Sequence, residues 1–206
     1  MKATTIRGLY AITPDWTDSA RLFKAVLAAL AGGARVLQYR NKKAKPALRL
    51  EQALGLSALC GKAGAIFIIN DDVELALEVD ADGVHLGETD GDIARARKRM
   101  GPGKLIGASC YNRLELAAPA LAAGADHLAF GSVFASSTKP GAVRAPLELF
   151  GQARPLSVPL VAIGGITTDN AASVLAAGAS AVAVIGSLFD ADDVEGQARM
   201  FAELFS

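Results

Sequence analysis

Two clusters of acids and amides follow two apolar runs. Asn70-Asp71-Asp72 comes after Ala65–Ile69, and Glu88 and Asp90 come after Gly83–Leu86. Val73–Val79, between them, has helical spacing. The order is strand, helix, strand. If the strands are parallel, a right-handed crossover sets both carboxyl ends on one edge of the sheet. Asp71 and Asp90 then converge, as acids do around a hard cation such as Mg²⁺ beside a phosphate. In the competing reading each acid N-caps the helix after it. A cap is the better reading of one such Asp; two after successive strands make metal or phosphate chemistry competitive.

Other polar groups fall at the same relative place. Gln38, Arg40, Lys42 and Lys43 follow the apolar run at Val36, Ser109 follows Leu105–Ala108, and Ser136, Ser137, Thr138 and Lys139 follow His127–Phe130. Gly164-Gly165 and Gly186-Ser187 end the last two runs, where glycine lets a phosphate approach backbone N–H groups at a helix start. Arg40, Lys42 and Lys139 would face the acids across one opening. A cation between Asp71 and Asp90, flanked by Lys and Arg, suits a diphosphate and can offset charge as it departs. His85 and His127 lie in or beside strands and read as hydrogen-bonded packing residues. Cys60 reads as packing, and nothing near Cys110 marks a nucleophile. Trp16 and Phe134 either border a flat substrate or pack a loop.

The elements that must position these groups repeat. Leu30–Tyr39, Leu77–Leu86, Leu121–Phe130 and Leu175–Val184 each end a helix, turn through small residues and enter a strand. Their spacing leaves room for two βα units per interval, and the intervening strands are Gly8–Thr13, Ala65–Asn70, Leu105–Ser109 and Val158–Ile163. Helices are expected at Ser19–Ala31, from Pro46 to about Cys60, at Ile93–Met100, from Leu114, at Leu147–Ala153, from Asn170 and at Val194–Phe205. Eight alternating units predict an α/β chain forming a single (β/α)8 TIM barrel over residues 1–206, with the active site at the carboxyl ends of the strands. An open doubly wound sheet is the alternative, and the regular repeat disfavours it.

Composition limits the function classes. The 206 residues carry 21 basic and 21 acidic side chains, so bulk positive charge for nucleic acid is lacking. No apolar run reaches a membrane span. Polar Thr4-Thr5 and Arg7 near the N-terminus do not read as a signal peptide, and two cysteines make no disulfide framework. A reducing cytoplasm is the expected setting.

The clusters resemble the thiamine phosphate synthase family. The carriers are Leu9-Tyr-Ala-Ile-Thr13, Gln38-Tyr-Arg-Asn-Lys42, Ile69-Asn-Asp71, Gly83-Val-His-Leu-Gly87 with Asp90, Gly107-Ala-Ser109, Gly131–Pro140 and Ala162-Ile-Gly-Gly-Ile166. The resemblance implies a transferase that joins hydroxymethylpyrimidine diphosphate to a thiazole phosphate, releasing diphosphate through a pyrimidine cation. It implies Mg²⁺ on Asp71 and Asp90. It places Gln38, Arg40, Lys42, Asn70, Ser109 and Lys139 on the pyrimidine diphosphate, with Arg40, Lys42, Ser109 and Lys139 as the catalytic group, and adds Tyr39, Asn41 and Ser137 as substrate-binding residues. Ser136, Thr138, Gly165, Ile185 and Gly186 fall to the thiazole phosphate. The chain departs from the family at Asn41 (usually Glu), Glu88 (Gln), Ser136 (Thr) and Gly186 (Ser), and carries Tyr111-Asn112 near a usual His. The alternatives are a thiazole tautomerase-like paralogue, which needs no metal pair, and a silent barrel that only binds thiazole phosphate. A homo-oligomer is compatible with the sequence.

Overall fold

The computed structural model describes residues 5–89, 91–135 and 143–205. Eight parallel strands close into a TIM barrel in sequence order, the last pairing with the first. This is the expected fold, and closure excludes the open sheet. The strands are β1 (Gly8–Ile12), β2 (Val36–Tyr39), β3 (Ile66–Asn70), β4 (Gly83–Leu86), β5 (Leu105–Tyr111), β6 (His127–Phe130), β7 (Leu160–Ile163) and β8 (Ala181–Val184). The helices are α1 (Ser19–Ala31), α2 (Pro46–Ala63), α3 (Val73–Glu78), α4 (Ile93–Met100), α5 (Ala117–Ala122), α6 (Glu148–Ala153), α7 (Thr168–Ala177), α8 (Gly186–Phe189) and α9 (Val194–Glu203). No helix among the described residues is long and apolar enough to cross a membrane.

The fourfold repeat has a common backbone cause. Its fourth residue is Gly33, Asp80, Gly124 or Gly178, and each takes a positive φ, between 49° and 117°. The next residue is Ala in every case, and its N–H returns to the carbonyl five residues back, as in Ala34 to Ala29 and Ala125 to Ala120. The left-handed residue stops the helix and turns the chain into the next strand. Asp80 does this without being glycine, so the second repeat carries the conformation at a local cost.

Both faces of each strand are buried, so the strands read as near-continuous apolar runs. Outward residues such as Leu37, Phe67, Ile69 and Val84 pack under the helices, while Val36, Ile66, Ile68, Val161 and Ala183 fill the barrel. Some boundaries differ from expectation. β5 continues to Tyr111 through a register shift after Ser109. β7 begins at Leu160 because Pro159 precedes it, α5 is preceded by a 3₁₀ turn at Leu114–Leu116, and α8 adds an unexpected short helix after β8. Trp16 packs edge-on against Phe189 of α8 with the Arg21 guanidinium 3.8 Å over its ring, so it braces a loop.

Polar residues interrupt the apolar barrel interior. The imidazoles of His85 and His127 lie 5.7 Å apart, centroid to centroid. His127 is fully buried, and neither of its ring nitrogens has a hydrogen-bond partner among the described residues. The expectation that both histidines are hydrogen-bonded packing residues therefore fails for His127. Burial, reinforced by neighbouring His85, lowers its pKa to about 3. Its unfolded value is about 6.5, so protons bind the unfolded chain preferentially as pH falls below that value. Stability is unaffected above pH 7 and should drop by about 2 kcal/mol by pH 5 from this group alone. Urea unfolding at the two pH values, compared with His127→Leu, measures it; equal losses in both proteins would show that the folded ring accepts a proton.

Candidate active site

The carboxyl ends of the strands surround a cavity of about 530 Å³. Gln38, Arg40, Asn70, Ser109 and Ile185, all expected site residues, line it. A second cavity of about 660 Å³ opens alongside, sharing Asn70 and bordered by Lys42 and Asp71. One rim therefore brings together residues from the ends of β2, β3 and β5.

The β3 end divides two adjacent acids. Asp72 is the N-cap of α3: its Oδ1 accepts from the Leu75 N–H at 3.0 Å, and its Oδ2 accepts from Arg49 at 2.9 Å. Asp71 has a left-handed backbone, φ 65°, with its N–H donated to the His85 carbonyl at 2.9 Å. Its carboxylate meets Lys42 Nζ at 3.1 Å. A strained backbone held beside a cavity is a signature of functional positions. After β4, Asp92 caps α4 by accepting from the Arg95 N–H at 2.9 Å. Asp90 lies outside the described residues. The capping reading of Asp71 is overturned, because Asp72 holds the start of α3.

Arg40 is fixed from below and behind. Buried Thr13 donates to the Arg40 carbonyl at 2.9 Å and accepts from its N–H at 2.8 Å. Asp15 accepts from Arg40 Nη1 at 3.0 and 3.2 Å and from the Lys42 N–H at 2.9 Å. Asp15 was missed in the sequence. Its position just past the first strand, on the same edge as every other site loop, was the available signal.

Tyr39 and Asn41, also expected at the site, lie on the side cavity. Tyr39 points outward beneath the helices, and its hydroxyl donates to Gln52 Oε1 at 2.8 Å. Burial pushes that phenol up to about 12. Asn41 is also buried; its amide donates to the Trp16 carbonyl and Gln52, and its Oδ1 receives the Lys43 and Ala44 N–H groups. Both residues line the side cavity with Lys42 and Asp71, and their hydroxyl and amide groups are engaged within the protein; the strand alternation that aims Gln38 inward turns Tyr39 outward. They shape the β2 loop. Cys110 is buried, which pushes its thiol up to about 11 and removes it as a nucleophile.

The opposite rim is built on close backbone contacts. Gly165 has φ +63°, and a Cβ there would lie 2.1 Å from the Ala135 carbonyl oxygen, so glycine is required. Gly164 lines the cavity, and Gly186 opens α8 just beyond Ile185. Ser136, Ser137, Thr138 and Lys139 lie outside the described residues.

Glu88 does not stand alone. Its carboxylate pairs with Arg113, and its N–H donates to the Tyr111 hydroxyl at 3.3 Å. Tyr111 reaches the mouth from a left-handed backbone, φ 54°, at the β5 irregularity, and Arg113 lies 5.7 Å over its ring. The three residues tie the β4 and β5 loops together.

A family model described as thiamine monophosphate synthase matches residues 9–188. The chain is 59% identical to a thiamine-phosphate synthase of Chromobacterium violaceum over 97% of both chains. It is 58% identical to that of Methylobacillus flagellatus over 98% of this chain and 96% of the other. The chain belongs to the thiamine-phosphate synthase family. Among solved structures, a thiamine phosphate pyrophosphorylase from Pyrococcus furiosus superposes with a TM-score of 0.84 at 38% identity, covering 96% of this chain and 95% of that one. The family read from the motifs is thus the family observed.

The Glu88–Arg113 pair explains how this synthase carries an acid where glutamine is usual. Arg113→Ala should weaken binding of inorganic diphosphate about threefold to tenfold by uncovering the carboxylate, and Glu88→Gln in that background should restore it. Calorimetric titration reads both. No change in either variant would place Glu88 beyond reach of the anion.

Proposed function

We propose that the chain condenses hydroxymethylpyrimidine diphosphate with thiazole phosphate to give thiamine phosphate and diphosphate. The observation that carries this reading is the pairing of two unlike rims on one cavity. Gln38, Arg40, Asn70 and Ser109 stand on one side, beside Lys42 and an Asp71 that caps nothing. Gly164 and Ile185 stand on the other, with Gly165 next in the chain. Two phosphorylated substrates need two such corners.

In this reading Gln38, Asn70 and Ser109 orient the pyrimidine, and Arg40 and Lys42 hold its diphosphate. The carbon–oxygen bond to the diphosphate breaks with its electron pair leaving on oxygen. The lone pair of the thiazole nitrogen then forms the new carbon–nitrogen bond to the pyrimidine cation. No side chain acts as a nucleophile. The residues contribute cationic contacts that grow stronger as charge gathers on the leaving group, and they align the acceptor. By motif, Lys139 is assigned to the pyrimidine diphosphate, Ser136, Thr138 and Gly186 to the thiazole phosphate, and Ser137 to substrate binding.

Mg²⁺ is proposed as the cofactor. The fit rests on Asp71, a hard oxygen donor that the helix start does not use and that faces a cation, Lys42, at 3.1 Å. Asp71 and Asp90 would hold the metal. When bound, it would supply further neutralisation of the diphosphate. The setting proposed is cytoplasmic, with small-molecule partners only; a homo-oligomer remains compatible with the sequence.

Thiamine phosphate formation from the two substrates should require Mg²⁺ and stop on chelation. Arg40→Ala should lower kcat/KM about a hundredfold with the fold intact. Metal-independent turnover would overturn the cofactor assignment. Well-folded protein that binds thiazole phosphate but forms no product would instead favour the silent-barrel reading.

A further inference from the structure

His85 lies among the residues assigned to the pyrimidine, in register with Asn70 of β3 and one inward position before Ser109 of β5. Along β4, β5 and β6, His85 registers with Gly107 and Gly107 with His127, so all three face the barrel interior at one level. Gly107 makes room for the rings on either side. A Cβ there would sit 2.3 Å from His85 Nδ1 and 2.3 Å from His127 Nε2. The next inward residue of β5 is Ser109, and its Oγ lies 2.9 Å from His85 Nε2. Both His85 and Ser109 line the mouth cavity.

We propose that His85 is the positioning residue for Ser109, fixing its hydroxyl on the floor of the mouth so that it meets the pyrimidine already oriented. This rests on the assignment of Ser109 to the pyrimidine diphosphate. A free serine hydroxyl rotates among three staggered wells and must be ordered on binding. The imidazole removes that freedom beforehand. It can do so because its own ring is clamped: Gly107 admits it, and the His127 ring packs beside it.

Packing alone does not account for this layer. A leucine would fill the same volume without leaving two ring nitrogens of His127 buried and unbonded, a desolvation cost that apolar residues avoid. The low pKa of His127 keeps that ring uncharged, so it does not repel or reorient its neighbour. On the far side of His127, the Tyr10 ring lies 6.4 Å away, and the Tyr10 hydroxyl accepts from Gln38 Nε2 at 2.9 Å. Tyr10 therefore holds Gln38 as His85 holds Ser109. His85, His127, Tyr10 and Gln38 form one polar floor under the pyrimidine side of the mouth.

The test is a double-mutant cycle in the intact enzyme, with KM and kcat for each substrate. Ser109→Ala should raise KM for pyrimidine diphosphate. His85→Ala should raise the same KM about tenfold, leaving KM for thiazole phosphate unchanged, and the double variant should be no worse than Ser109→Ala. His85→Gln, whose amide can still reach Ser109, should recover most of the loss and serves if His85→Ala folds poorly. Effects that multiply in the double variant, or a rise in both KM values, would overturn the proposal. If Ser109→Ala leaves the pyrimidine KM unchanged, the proposal falls together with the assignment of Ser109. If Ser109→Ala is impaired and His85→Ala is not, only the role of His85 falls.

Discussion

A parallel sheet closed on itself has no edge, so its interior backbone groups are paired and its strands are covered on both sides. Polar chemistry is then confined to the ends of the strands. Right-handed crossovers place all the carboxyl ends on one rim. Gln38, Arg40, Asn70 and Ser109, separated by as many as 71 positions in sequence, meet there because closure leaves them nowhere else to go. The left-handed turn at the fourth residue of each repeat is what keeps the register of that closure.

On this rim the loops divide labour between neighbouring residues. Asp72 and Asp92 satisfy helix starts, and that leaves Asp71 to face Lys42. Thr13 and Asp15 hold Arg40 from the β1 end, and Tyr39 and Asn41 secure the β2 loop through Gln52. Arg40, Lys42 and Arg113 each face a carboxylate: Asp15, Asp71 and Glu88. An anionic ligand thus enters a rim whose cations are oriented beforehand, which lowers the ordering cost of binding.

The barrel was legible because its strands are short apolar runs and its turns repeat. Acids clustered after β3 and β4 were legible, but which acid caps which helix was not. Asp71 and Asp72 are adjacent and identical in type, and only the backbone shows that Asp72 has the extended conformation a cap requires while Asp71 is left-handed. Tyr39 and Asn41 were read with Gln38 and Arg40 as one surface; alternate residues of a strand face opposite sides, so these two line the side cavity with Lys42 and Asp71 rather than the mouth. Asp15 and Arg113 were missed since a lone charge in a loop carries no signal until its partner is known. Asp15 stands 25 residues from Arg40, and Arg113 the same distance from Glu88.

The division between Asp71 and Asp72 is the central claim, and one pair of variants tests it. Asn tolerates the left-handed backbone, so Asp71→Asn should unfold at the same urea concentration as the parent and lose Mg²⁺-dependent thiamine phosphate formation. Asp72→Ala should lose about 1 kcal/mol of stability with its cap while keeping most of the activity. The opposite pattern, an active Asp71→Asn and a stable but inactive Asp72→Ala, would show that the functional acid is Asp72 and contradict the site described.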